Sequence, residues 1–228
     1  MRVWYAAYGS NMHGARLACY LAGGRPEGGA RVYAGCRDAS PPEGTAAVEL
    51  PGAVYFATHS PVWGGGRAFY DPLAPGTAPA RAHLVTAGQF ADLAAQEMYG
   101  TPGADLDLTE ALATGRQVLG PGRYETVVCP GRLDGHPLLT LTAPWRMADV
   151  AAAAPSVAYL RHLVAGLLEA GPWDPAAVAG HLARCPGVAG RWPEGELRAM
   201  AEDVRRGGDQ APPKPSPAVR AVSRPRSR

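Results

Sequence analysis

An α+β domain, built on a mixed, curled, barrel-like sheet with flanking helices, is predicted by three observations. Short β-branched and aromatic runs recur along the first two thirds of the chain, helical periods gather mainly after residue 155, and the two do not alternate as β-α-β units. A sheet of this kind can curl and leave a pocket at its mouth.

The elements follow in order. Residues 2 to 8 form an aromatic run stopped by Gly9, which reads as a buried strand. Ser10 and Asn11 then start a helix that carries Met12, Ala15, Leu17, Ala18, Cys19 and Leu21 and ends at Gly23-Gly24. Further strands are expected at 30 to 36, 46 to 58, 80 to 86, 123 to 130 and 137 to 142, the last two joined by a hairpin at Leu133-Asp134-Gly135-His136. Residues 88 to 98 switch to a helical period, with Phe90, Leu93, Ala94 and Glu97 at i, i+3, i+4 and i+7, so a carboxylate lands on an apolar face. Helices are expected from Ser156 to Ala170, Pro175 to Ala183 and 194 to 205. The organisation is therefore a domain over 1–172, a helical extension over 173–206 and a tail over 207–228 whose Pro, Ser and Arg content predicts disorder.

Composition narrows the function. A hydrophobic fraction of 46% is ordinary for a globular chain, and no apolar run approaches the ~20 residues that cross a bilayer, so no membrane partner and a cytoplasmic location are expected. The four cysteines (Cys19, Cys36, Cys129, Cys185) and six histidines lack ligand spacing, which argues against a zinc-dependent deacylase and for no metal or cofactor. Net charge is +2, with the excess in the tail, so no nucleic-acid partner is expected.

Tyr8-Gly9-Ser10-Asn11-Met12 is a glycine turn feeding a helix, where the amides of Gly9, Ser10, Asn11 and Met12 favour an anion. From these letters alone a plain N-cap is the simpler reading. Glu97, desolvated on its helix, would have a pKa raised toward general acid-base use, unless the frayed helix end turns it to solvent or into an ion pair.

Tyr5-Ala6-Ala7-Tyr8-Gly9-Ser10-Asn11-Met12 resembles the aromatic-flanked Y-G-S-N-L signature of the γ-glutamyl cyclotransferase superfamily, with Met12 for leucine. Gln96-Glu97 stands where that family places its helix-end glutamate, with Met98 and Tyr99 in place of a glycine. Pro155-Ser156-Val157-Ala158-Tyr159 resembles the P-S-x-x-Y opening a late helix, followed by Gly166 and Glu169-Ala170-Gly171 at similar spacing. The resemblance implies a γ-glutamyl cyclotransferase-like fold over 1–172, Glu97 as catalytic acid-base, and substrate contacts from Tyr8, Gly9, Ser10, Asn11 and Met12. It extends to Tyr159 and to Tyr124, the latter equally well read as core packing.

Weaker candidates are Trp63-Gly64-Gly65-Gly66-Arg67, a rim loop for an acidic or aromatic substrate or a simple connector, and His59 at a strand end. Asp105, Asp107 and Glu110 are expected to face solvent, and segment 99–122 is longer than the family needs. The implied reaction is attack of a substrate's own α-amine on its γ-amide, giving 5-oxoproline and a freed amine, with a secondary-metabolism intermediate among the candidate substrates. The protein acting is then a monomer or homodimer. The alternatives are an amidase or acyltransferase on another amide, and a non-catalytic metabolite-binding protein.

Overall fold

The computed structural model describes residues 1–26, 30–208 and 218–223. Among the described residues there are eight strands: β1 (Arg2–Ala7), β2 (Gly44–Pro51), β3 (Ala53–Ser60), β4 (Gly65–Asp71), β5 (Thr77–Thr86), β6 (Arg116–Val118), β7 (Thr126–Leu133) and β8 (His136–Thr142). Six helices accompany them: α1 (Gly14–Ala22), α2 (Ala87–Glu97), α3 (Thr109–Thr114), α4 (Val157–Ala170), α5 (Pro175–Arg184) and α6 (Glu194–Gly208). Six strands form one mixed sheet in the order β2-β5-β1-β8-β7-β6, and β3 and β4 form a separate hairpin. The fold is α+β, as the sequence predicts, although the sheet is open and not a closed barrel.

β1 lies inside the sheet, antiparallel to β5 and parallel to β8. Five of its six residues are buried, which is why its sequence is apolar without alternation. The β7-β8 hairpin turns at Asp134 and Gly135, whose φ angles of 49° and 79° are those of the turn expected there. α2 begins with a capping box: the Thr86 hydroxyl accepts from the Gln89 amide at 3.0 Å and the Gln89 side chain accepts from the Thr86 amide at 3.0 Å. Phe90, Leu93 and Ala94 then bury fully against the sheet. α5 and α6 pack on each other and on α4.

Several expectations change. The strand expected over 46–58 is two strands in two sheets, because the chain folds back at Gly52 (φ 121°), where a Cβ would lie 2.4 Å from the Asp71 carbonyl oxygen. Residues 30–36 form no strand; Tyr33 exchanges two main-chain bonds with Gly24, and the Cys36 amide donates to Leu21. Segment 99–122 is not bare loop: Leu108 and Ala111 bury α3, and β6 lengthens the sheet. Of the tail, residues 209–217 and 224–228 lie outside the described residues. Residues 218–223 form a clasp: the Arg220 amide donates to Ala47 on the edge strand β2, and Ser223 exchanges two bonds with Arg132 on β7. Unpaired strand edges attract any free backbone, whatever its side chains.

His83 on β5 is 1% exposed. Burial, reinforced by Arg81 and opposed by the Asn11 main chain, pushes its imidazole down from 6.5 to about 3. The unfolded chain takes up a proton that the folded one refuses, so the stability present above the unfolded value is lost as pH falls, by about 1.4 kcal/mol per unit. The urea midpoint should therefore drop between pH 6.5 and 4, with a shallower slope in His83→Gln.

Candidate active site

The C-terminal end of β1 delivers Tyr8 and Gly9 into a 3-10 turn, Ser10–Met12, before α1 begins. His13 between them has extended backbone (φ −75°, ψ 122°), so the single expected helix is broken in two. The Met12 amide closes the turn onto the Gly9 carbonyl at 3.0 Å, and the Met12 side chain is buried. Met12 thus corrects the expectation that four amides stand free. It does not line the cavity described below; Gly9, Ser10 and Asn11 do.

The turn is held from behind. Gly166 on α4 has no Cβ, and one placed there would lie 2.5 Å from the Met12 Cβ and 2.8 Å from the His13 amide nitrogen. Glu169, one turn on, accepts from the Gly14 amide at 2.8 Å and pairs with Arg81 at 2.8 Å, while Arg81 donates to the Met12 carbonyl at 2.9 Å. The Gly166 and Glu169 of the late-helix motif therefore seat the glycine turn.

Asn11 and Glu97, far apart in sequence, meet. The Asn11 side-chain amide donates to Glu97 Oε1 at 2.8 Å and to the Tyr5 hydroxyl at 3.2 Å. Both residues line the same cavity. Burial raises the Glu97 pKa above its ordinary value, against the opposing pull of Arg16, Tyr20 and Asn11. Glu97 is partly buried, and its carboxyl group has no ion-pair partner within 4.0 Å among the described residues. Glu97 ends α2, and Tyr99, just beyond, takes the left-handed φ of 62° that a glycine would hold without strain. Its ring lies against the guanidinium groups of Arg31 and Arg123, each 4.5 Å from the centroid.

Tyr8, Tyr124 and Tyr159 also line the cavity. The Tyr8 hydroxyl donates to the Leu141 carbonyl at 2.7 Å. Tyr124 precedes β7 with φ 103°, rather than opening that strand, and donates to the Ala68 carbonyl at 2.8 Å. Tyr159 sits at the third position of α4, where its amide meets the capping hydroxyl of Ser156 at 3.3 Å, which explains the P-S-x-x-Y spacing. Its hydroxyl accepts from the Ala68 amide at 3.3 Å and lies as close to the position of a Gly9 Cβ. Burial pushes that phenol up to about 12, so it stays neutral near pH 7.

The cavity also contains residues the sequence did not single out. Arg16, 3% exposed, stacks between Tyr20, Tyr33 and Trp63, with its guanidinium carbon 4.7, 4.5 and 5.7 Å from their centroids. The weak candidate Arg67 is buried in the wall, donating to the His59 carbonyl, and Trp63 stacks on Tyr159 at 5.6 Å. In the glycine run beside them, Gly66 packs closely on the chain before α4: a Cβ there would lie 2.0 Å from the Ala153 carbonyl oxygen. His59 itself is exposed and does not line the cavity. Asp105, Asp107 and Glu110 are exposed, as expected. Among the described residues no group of three or more His, Cys, Asp or Glu side chains is placed to hold a metal ion, and no helix is long and apolar enough to cross a membrane.

No family model matches the chain. It is 33% identical over 189 residues to a protein of Arabidopsis thaliana named histone deacetylase 5, a match covering 74% of this chain and 28% of that relative's length. Among solved structures it is similar to a γ-glutamyl cyclotransferase, with a TM-score of 0.49 and 15% identity over 91% of this chain and all of that one. It is also similar to an uncharacterised protein from Homo sapiens, with a TM-score of 0.44 and 15% identity over 97% of this chain and 94% of that one.

Proposed function

We propose that this chain is a γ-glutamyl cyclotransferase-like enzyme that cleaves a γ-glutamyl amide and releases 5-oxoproline with a free amine. The observation that carries this reading is the 2.8 Å contact between Asn11 and Glu97, which brings the Y-G-S-N turn and the raised-pKa carboxyl group to one cavity. A donor-rich turn beside a desolvated acid suits a substrate that carries a carboxylate and an amine on the same carbon.

In this reading the amides of the Gly9, Ser10 and Asn11 turn hold the α-carboxylate of the substrate. The Glu97 carboxylate takes a proton from the α-ammonium group. The freed amine attacks the γ-amide carbonyl carbon, forming the ring C–N bond. The tetrahedral intermediate collapses as the bond to the leaving nitrogen breaks and that nitrogen receives the proton held by Glu97; the emptied carboxylate then takes the second proton from the ring nitrogen and passes it to the freed amine, which departs as its ammonium form. Because nucleophile and electrophile share one molecule, holding it folded supplies much of the acceleration. The buried, neutral phenols of Tyr124 and Tyr159 act here as walls that fix the fold of the substrate, since their hydroxyls are engaged with Ala68.

The test is product analysis with purified protein and a set of γ-glutamyl amides. Equal amounts of 5-oxoproline and free amine are expected. Glutamate in place of 5-oxoproline would instead make the protein an amidase, and saturable binding without any product would make it a metabolite-binding protein.

A further inference from the structure

We propose that Arg16 and Arg67 form a subsite for acidic groups on the leaving half of the substrate, so that the preferred leaving amine carries two negative charges. The inference rests on the cyclotransfer reading and names the substrate class for it.

Two observations carry the inference, the first of them hydrogen-bond capacity. Arg16 is 3% and Arg67 6% exposed, both line the cavity, and neither has a carboxylate within ion-pair distance among the described residues. Arg16 spends Nη2 on the Tyr33 hydroxyl at 2.6 Å, and Arg67 spends Nη2 on the His59 carbonyl. Nε and Nη1 of Arg16 and Nε of Arg67 have no partner among the described residues. Buried guanidinium nitrogens are strong donors, and leaving them unused is costly unless an acceptor arrives.

The second is charge balance. The charged residues lining the cavity are Arg16, Arg31, Arg67 and Glu97, which sum to +2 when Glu97 is ionised. A bound γ-glutamyl group contributes nothing to that balance, because its α-carboxylate and α-ammonium cancel. The excess is therefore met by the other half of the substrate, and two carboxylates, or one phosphate, meet it. A cationic leaving amine would add charge to a wall already positive, at a cost that grows with desolvation. The Arg16 guanidinium lies 5.7 Å from the Trp63 ring, which stacks on Tyr159, and Ala68 beside Arg67 donates to the Tyr159 hydroxyl, so both arginines neighbour the ring that approaches Gly9 on the turn.

The experiment compares γ-glutamyl-glutamate, γ-glutamyl-glutamine and γ-glutamyl-ethylamide, whose leaving amines carry two, one and no carboxylates. 5-oxoproline release by the unmodified protein is read for each, alongside calorimetric titration of the same compounds into Glu97→Gln. About 10- to 100-fold higher kcat/KM, and tighter binding, are expected at each step from ethylamide to glutamate, from the strength of charge-assisted bonds. Arg67→Met should flatten that series, and Arg67→Lys should restore part of it. Release of 5-oxoproline at equal efficiency from all three compounds would overturn the subsite and leave the cyclotransfer reading standing. No 5-oxoproline from any would overturn that reading instead, and the titration would then decide the subsite: graded affinity supports it, equal or absent affinity ends it.

Discussion

Glu97→Gln is expected to lower kcat for 5-oxoproline release by about 100- to 10,000-fold, the range for loss of a general acid-base, while the protein stays folded. The replacement keeps the shape of the side chain and can still pair with Asn11, which now donates to the carboxylate at 2.8 Å, but it cannot accept the ammonium proton. Because burial raises the pKa of this group, the unmodified protein should lose kcat/KM for this reaction as pH falls through a value above the ordinary carboxylate range. That limb should vanish from whatever activity remains in Glu97→Gln. The thermal midpoint near pH 7 should not fall, since an ionised carboxylate in a buried wall costs stability that the amide does not. A variant with full turnover would remove Glu97 from the chemistry.

The second large effect is expected at Gly166, which does not line the cavity. A Cβ there would sit 2.5 Å from the Met12 Cβ and 2.8 Å from the His13 nitrogen, and the main chain of the glycine turn cannot yield without moving Gly9 and Ser10. Gly166→Ala should therefore cost about 1 to 3 kcal/mol, as overpacked sites do, and lower the thermal midpoint by several degrees. Turnover should fall further than stability, because a small displacement of positioning groups costs orders of magnitude in rate. Gly180→Ala on α5 is the internal control. Its new Cβ would meet the flexible ends of Arg184 at 3.4 Å and Glu194 at 3.7 Å, so helix propensity should leave the protein as stable or up to about 1 kcal/mol more so.

The placement of Glu97 was legible because the apolar period of α2 is local: Phe90, Leu93 and Ala94 bury where their spacing requires, and Glu97 follows them into the wall. Gly9 and the P-S-x-x-Y opening were legible for the same reason, as turn and cap chemistry depend on near neighbours. The loss of the Met12 amide was not legible, since the break at His13 accompanies the close approach of Gly166, a residue far along the chain. The arginines were hidden differently. An arginine in a helix reads as solvent-facing, and its burial becomes intelligible only when Tyr20, Tyr33 and Trp63, from three segments, close around it. A signal was nonetheless present, because Arg16 shares the buried face of α1 with Leu17, Tyr20 and Leu21 at helical spacing. Composition misdescribed residues 218–223, whose bonds to Ala47 and Arg132 are made by main chain, to which composition is blind.

That clasp bears on biogenesis. Its contacts, Arg220 to Ala47 and Ser223 to Arg132, join segments far apart in the chain, and pairings of such separation form late. A nascent polypeptide emerging from the ribosome would present the outer rim of β2 without cover until residues 218–223 appear. Translation stalled shortly before Arg220 should thus yield a species that holds chaperones longer than a chain that includes those residues does.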